Sequence, residues 1–291
     1  MTDPRTLWVD FSWLLFKNWH GGANLSITEE GRDEDGNPYF VDRPTQHVFG
    51  TVQNLMQAAF AFNKVVLALD GGKEYRRNIF PGYKAGRKEV GFPIFDDQMP
   101  IVRMASHFPN VSFCRIKGYD ADDLISSAMK TGESLVMWTR DRDLMQTPGD
   151  WAVLDNLNGG QPSYIDLPAY LEKETEMAGM TFMPCWYKTI RGDSSDKIPP
   201  SIPGIRLTKI EPLIRHLSDT QDFEVFKKYF QKTIVWKHPV DWDKVYMNYR
   251  LVMPRYLTPE QSETKRYTPA PGEVQSLLQY YRFNSLMPYF S

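Results

Sequence analysis

Five short aliphatic runs, Leu7–Val9, Val65–Leu69, Val111–Ile116, Leu135–Trp138 and Ala152–Leu154, alternate with longer stretches of helical spacing in the first half of this chain. The longer stretches are Gln46–Phe62, Asp97–His107 and Asp122–Lys130, with Thr45 and Asp96 or Asp97 placed to cap the first two. Strand and helix in alternation predict βαβ units, hence an α/β fold around a mostly parallel sheet. Ligands of such sheets bind beyond the carboxyl ends of the strands. Asp10, Asp70 and Asp141 each stand at or just past the end of an apolar run, so one sheet edge would gather them.

Those three belong to a set of nine aspartates in five short segments: Asp10; Asp70; Asp120, Asp122 and Asp123 in GYDADD; Asp141 and Asp143 in WTRDRD; Asp193 and Asp196 in RGDSSD. Any one of them has an ordinary reading as a turn or N-cap residue. In GYDADD, Asp120 and Asp123 share a helix face at i, i+3, with Asp122 beside them, and capping accounts more readily for one or two acids than for three. Together, so many carboxylates in a small volume raise one another's pKa and require cations. Hard divalent ions take oxygen ligands, Mg²⁺ above all where phosphate completes the shell. The set therefore points to metal-dependent chemistry on phosphate. RGDSSD gains weight from the Pro/Gly loop and amphipathic helix after it, KIPPSIPGIRLTKIEPLI, whose backbone N–H groups suit phosphate without reading sequence.

The net charge of −2 conceals a division. Removing the nine aspartates from the 36 acidic residues leaves 27, against 34 basic ones, a cationic remainder that attracts a polyanion. No apolar run approaches the ~20 residues of a bilayer span, and no signal peptide follows Met1. Cys114 and Cys185 have neither metal-ligand spacing nor a disulfide framework, which fits a cytoplasmic setting. Between His20 and Pro44 the alternation breaks, predicting a hairpin or loop insertion at residues 21–43. Past residue 180 helices and polar loops take over, and Tyr246–Leu251 and Gln275–Tyr281 read as helical. The aromatic end QYYRFNSLMPYF reads as core packing in preference to a partner site.

The ordered series VDFSWLLFK, LALDGG…YRRNIFPGYKAGR, GYDADD, TRDRD and RGDSSDKIP…PGI resembles the flap endonuclease or 5′→3′ exonuclease family, most of all its free-standing phage members. The likeness runs from about Leu7 to Leu217, with NYRLVMP similar to a late helix of the family. It implies a PIN-like nuclease core over residues 1–180, with a helical arch near 84–107, and a helical region at 181–291 carrying a helix-hairpin-helix-type (H3TH) DNA clamp. It also implies two Mg²⁺ ions, replaceable by Mn²⁺, about 4 Å apart across the scissile phosphodiester. Asp10, Asp70, Asp120 and Asp122 would surround the first; Asp123, Asp141, Asp143 and Asp193 the second, with Asp196 acting through water. Lys84, Arg87 and Lys17 would offset charge on the reacting phosphate, and Tyr83 would stack on an unpaired base. Lys188, Gly204, Arg206 and Lys209 would grip the duplex.

The implied substrate is branched or nicked DNA with a 5′ single strand, RNA–DNA primer ends included, cut by a monomer with no membrane partner. Three residues depart from the family pattern. Asp120 stands where Glu is usual, and Arg142 where a small residue is usual. Gly204-Ile205-Arg206 replaces Gly-Ile-Gly at a loop that often carries K⁺. The rival readings are a PIN-type ribonuclease, against which the clamp and basic arch argue, and a catalytically inactive DNA-junction-binding protein, against which the full set of acids argues.

Overall fold

The computed structural model describes residues 2–21, 24–85, 95–146, 149–166, 183–217, 220–258 and 264–290. Among the described residues there are eight strands: β1 (Asp3–Asp10), β2 (Ser26–Arg32), β3 (Pro38–Pro44), β4 (Phe62–Ala68), β5 (Val111–Cys114), β6 (Leu135–Trp138), β7 (Trp151–Asn158) and β8 (Gln161–Tyr164). Six form the main sheet in the order β5-β4-β1-β6-β7-β8, parallel except for β8 against β7. The expected aliphatic runs all lie in this sheet. Its antiparallel edge strand β8 was not anticipated, since QPSY carries a proline and little apolar character. It is reached through Gly159 and Gly160, both at positive φ, as a tight hairpin turn requires.

Period-2 alternation explains why the central strands read as continuous apolar runs: each buries both faces. Leu7 and Val9 of β1, Val65 and Leu67 of β4, and Val136 and Trp138 of β6 join the core on one side. Trp8, Val66, Ala68, Leu135 and Met137 join the core on the other. The first side is covered by α1 (Phe11–Gly21), α2 (Gln46–Ala61) and, after the short α3 (Glu74–Ile79), by α4 (Gln98–Ala105). The second is covered by α5 (Ala121–Met129) through Leu124, Ile125 and Ala128.

Residues 26–44 form a separate two-stranded hairpin, β2 with β3, as the broken pattern predicts. Thr45 and Asp97 occupy the N-cap positions of α2 and α4, but neither side chain caps. The Asp97 carboxylate instead takes the Arg43 guanidinium at 2.5 Å, His47 Nε2 at 2.8 Å and the Tyr281 hydroxyl. This buried cluster ties the hairpin, α2 and the chain's end to the start of α4.

Four further helices, α6 (Met183–Arg191), α7 (Leu207–His216), α8 (Phe223–Thr233) and α9 (Trp242–Val252), share a core of their own around Trp186, Ile210, Phe226 and Phe230. Trp186 and Phe226 stack with ring centroids 4.5 Å apart. The last helix, α10 (Glu273–Tyr280), does not belong with them. Val274, Leu278, Tyr281, Phe283 and Phe290 pack into the first core, so the end of the expected 181–291 region lies against the α/β body. The expected boundary near 180 lies outside the described residues.

Candidate metal and phosphate site

A cavity of about 1460 Å³ opens at the carboxyl edge of the sheet. Register explains its wall. Asp10 ends β1 opposite Ala68 of β4, which places Asp70 two residues further along the same edge. Val9 pairs with Trp138, so Asp141 follows three residues beyond β6. Asp120 and Asp122 come from the start of α5, Asp143 from the turn after β6, and Asp193 and Asp196 from the loop after α6. Eight of the nine expected aspartates thus face one space. Gly71 makes that convergence possible. A Cβ there would lie 1.7 Å from the Ile116 carbonyl oxygen, and its N–H donates to the Tyr119 carbonyl at 2.8 Å. Only glycine lets the chain beside Asp70 close onto the loop leading to Asp120.

Local hydrogen bonds aim the carboxylates. Asp10 accepts from the Trp13 N–H and the Thr139 hydroxyl, both at 3.0 Å. Asp70 accepts from the Ser12 hydroxyl at 2.7 Å and the Ala121 N–H at 2.9 Å. Asp141 accepts from the Asp143 N–H at 2.8 Å. Burial, reinforced by the charges of Asp70 and Asp141, pushes the Asp10 carboxyl up to about 7. Burial and the nearby Asp141, Asp10 and Asp70 push Asp122 well above the usual carboxylate range. Asp143 is pushed up to about 6 by burial and Asp141, with Lys188 opposing. Burial leads each of these shifts, and the neighbouring carboxylates add to it.

Cations interleave with them. The Lys188 ammonium lies 2.5 Å from Asp143 and 2.9 Å from Asp193, bridging the sheet edge to the loop after α6. Burial works against ionisation of Asp193, but the Ser195 hydroxyl and Lys188 hold it below the usual range. Lys84 takes the left-handed conformation, φ 51°, and its N–H donates to the Asp196 carbonyl at 2.8 Å. Its ammonium faces the Asp196 carboxylate at 3.8 Å. Among the described residues no three acidic, histidine or cysteine side chains converge tightly enough to enclose an ion. Asp120, Asp143 and Asp193 reach to Arg76 and Lys188 instead.

Several of the expected residues lie away from the open part of the cavity. Asp123 is 0% exposed and does not line the cavity. Its carboxylate takes Arg76 Nη2 at 2.8 Å and Nη1 at 3.0 Å, together with the N–H groups of Arg255 at 2.8 Å and Asp120 at 3.2 Å. Both of its oxygens are thus engaged beneath the site, away from the cavity. Tyr83 lines the cavity but is only 3% exposed, its ring packed with Ile198 and Leu251. Lys17 does not line the cavity; its ammonium lies over the rings of Trp13 and Trp138, 5.4 and 5.3 Å from their centroids. Arg87 lies outside the described residues, as do residues 86–94 of the expected arch, whose later part is α4.

Gly204, Arg206 and Lys209 are all exposed, at the loop entering α7 and its first turn, and none of them lines the cavity. Gly204 has φ +78°, so a glycine is needed there. The residue that sequence reasoning missed is Arg76, 5% exposed on α3. Besides Asp123 it holds Asp120 at 2.9 Å, and its Nε donates to the Leu251 carbonyl at 3.1 Å. No signal in YRRN separates this arginine from its exposed neighbour Arg77.

Residues 5–173 match the family model described as 5′-3′ exonuclease, N-terminal resolvase-like domain. The chain belongs to that family. Membership makes it a structure-specific 5′ nuclease of the flap endonuclease and 5′→3′ exonuclease class, hydrolysing phosphodiester bonds in nucleic acid. This nuclease is 29% identical over 227 residues to the 5′-3′ exonuclease of Bacillus subtilis strain 168, covering 74% of this chain and 71% of that protein. It is 23% identical over 224 residues to the 5′-3′ exonuclease of Buchnera aphidicola, with the same coverage of 74% and 71%. The thermostable DNA polymerase I of Thermus aquaticus is 26% identical over 201 residues, 67% of this chain but 22% of the polymerase.

Among solved structures, T5 D15 protein co-crystallised with metal ions superposes with a TM-score of 0.50 at 14% identity, over 98% of this chain and 97% of that one. The catalytic core of Rad2 in complex with DNA substrate gives 0.51 at 12% identity, over 99% and 93%. At these identities the likeness speaks for the fold. No helix among the described residues is long and apolar enough to cross a membrane.

Proposed function

We propose that this nuclease uses two divalent cations, Mg²⁺ with Mn²⁺ able to replace it, to cut branched or nicked DNA bearing a 5′ single strand, RNA–DNA primer ends included. We place it in the cytoplasm, acting as a monomer. The observation that carries this reading is the convergence of eight carboxylates with Lys84 and Lys188 on one cavity. The donor set fits hard cations: it is all oxygen, crowded enough to raise Asp10, Asp122 and Asp143, and no histidine lines the described wall. Asp10, Asp70, Asp120 and Asp122 are the residues that would hold one ion, and Asp141, Asp143 and Asp193 the other, with Asp196 behind them; Asp123, set beneath the cavity, is left out. When bound, such ions lower the pKa of a water and neutralise charge on the entering and leaving oxygens.

The chain's own side chains supply the rest. Lys84, fixed by its backbone bond to Asp196, meets the charge that grows on the phosphate. Lys188 keeps Asp143 and Asp193 together across two elements. Thr139 and Ser12 keep Asp10 and Asp70 turned toward the cavity. The α6–loop–α7 unit, with Gly204, Arg206 and Lys209 exposed along it, is the part we assign to gripping duplex backbone as the H3TH-type clamp. Arg206 stands where a K⁺ would be neighboured by a third small residue, so its guanidinium takes over phosphate contact there. The division into a nuclease core, residues 1–180, and a DNA-binding region following it is part of the same proposal, with residues 273–290 returned to the core.

The test is cleavage of a 5′-labelled flap-bearing duplex with Mg²⁺ or with EDTA, beside Asp141→Asn. Metal-dependent flap release by the wild type alone is the expected result. Tight binding without cleavage under any divalent ion would replace this reading with a junction-binding protein, and preference for RNA over flap DNA would replace it with a ribonuclease.

A further inference from the structure

Beside the catalytic cavity, a second cleft of about 450 Å³ opens between α3 and α9. It is lined by Tyr75, Asn78, Ile79, Asp243, Tyr246, Met247 and Arg250. The same helix pair bounds both spaces. Arg76 and Leu251 line the catalytic cavity, while their chain neighbours Tyr75 and Arg250 line the cleft. The bond from Arg76 Nε to the Leu251 carbonyl is the partition between them. Positions 243, 246, 247 and 250 fall on one stripe of α9 by helical spacing, and 75 and 78 on one stripe of α3.

The lining combines two aromatic rings, a cation, an amide and a carboxylate. Tyr246 is 46% exposed, yet braced from behind by Phe223 at 4.8 Å and by Tyr249, stacked at 5.9 Å. A large aromatic held rigidly and left open is a stacking platform. Arg250 donates to the Tyr75 hydroxyl at 3.1 Å and lies over the Tyr75 ring, 5.6 Å from its centroid. The guanidinium is thereby fixed at the cleft and suited to a phosphate. Asn78 offers both a donor and an acceptor, and Asp243 an acceptor for an exocyclic amine. The volume lies within the ~300–1,000 Å³ of small-ligand sites.

We infer that this cleft takes one unpaired nucleotide of the nucleic-acid substrate, its base against Tyr246 and its phosphate toward Arg250. The inference rests on the nuclease reading, because the cleft adjoins the catalytic cavity across the shared helix pair. An apolar peptide suits the cleft poorly, since the charges of Asp243 and Arg250 and the amide of Asn78 stand in its wall.

The experiment uses the whole chain in EDTA and fluorescence anisotropy of flap-bearing DNA, with abasic residues placed singly along the unpaired strand. One position is expected to cost wild type about 10-fold in affinity, on the order of one base–aromatic stack. Tyr246→Ala should erase that penalty at the same position, whereas Tyr246→Phe should keep it. No penalty at any position would overturn the inference, as would a full penalty persisting in Tyr246→Ala. Cleavage of the unmodified flap, read separately with Mg²⁺, tests the catalytic assignment. Its failure would leave the binding scan to report on the cleft alone.

Discussion

Replacing Arg76 with methionine should be the most damaging single change beneath the site. The guanidinium is 5% exposed and makes four hydrogen bonds: Nη1 to Asp120 at 2.9 Å and to Asp123 at 3.0 Å, Nη2 to Asp123 at 2.8 Å, and Nε to the Leu251 carbonyl at 3.1 Å. Methionine fills much of the volume but leaves two buried carboxylates without their cation. Removing one partner of a buried ion pair costs about 3–5 kcal/mol, and here the arginine serves two acids at once. We expect a loss at the upper end of that range at pH 7.5 in metal-free buffer, measured by urea denaturation.

The loss should depend on pH in a defined direction. Burial already raises the Asp120 carboxyl above its ordinary value while Arg76 and Lys84 pull it down; without Arg76 it rises further. A carboxyl whose folded pKa exceeds its unfolded value stabilises the fold below the unfolded pKa, and that contribution is lost as pH rises through the folded one. The deficit of Arg76→Met should therefore be smallest near pH 4, growing toward pH 8. Asp123→Asn in the same chain should recover part of it. A deficit under about 1 kcal/mol, or one independent of pH, would refute the reasoning, because an arginine worth so little is not neutralising buried charge.

Metal-free wild type should itself lose stability between about pH 4 and pH 7, as Asp10, raised to about 7, and Asp143, raised to about 6, ionise against their neighbours. Calorimetry across that interval checks it, and a flat profile would contradict the crowding of these acids. Adding Mg²⁺ or Mn²⁺ at pH 7.5 should raise the melting temperature, by about 2.7 kcal/mol of stabilisation at a hundred times the dissociation constant. No rise with either ion would count against the metal assignment. Lys84→Ala should slow flap cleavage by about 10²–10³ in single-turnover assays while the DNA remains bound, and an unchanged rate would remove Lys84 from the chemistry. Gly71→Ala, with its Cβ driven to 1.7 Å from the Ile116 oxygen, should destabilise the fold and displace Asp70. A crystal structure of the variant with Asp70 in place would show that the loop yields instead.

Much of the site was legible because its geometry follows from local rules. Strands buried on both faces read as apolar runs, and in a parallel sheet their ends lie at one edge, so Asp10, Asp70 and Asp141 could be grouped before any coordinates. Asp122 and Asp123 could not be told apart the same way. The i, i+3 pair Asp120 and Asp123 does share a side, but that side meets Arg76, leaving Asp122 among the cavity acids. The arginine that decides this is 44 residues from Asp120 and 47 from Asp123. The burial of Tyr83 was equally illegible: Lys84 turns at positive φ toward the cavity acids, and the Tyr83 ring at the same wall packs with Leu251.

The sequence alone determined the α/β alternation, the hairpin insertion, the strand ends carrying acids and the family to which the chain belongs. Each depends on periodicity, turn chemistry or ordered motifs, which act over a few residues. Tertiary structure decided which carboxylates face the cavity and which are anchored beneath it. It also decided that residues 273–290 return to the first core and that α3 and α9 enclose a second cleft. These outcomes depend on which distant side chain meets a buried charge or an open apolar face. Such pairings are selected by packing and desolvation across the whole molecule, and no local pattern encodes them.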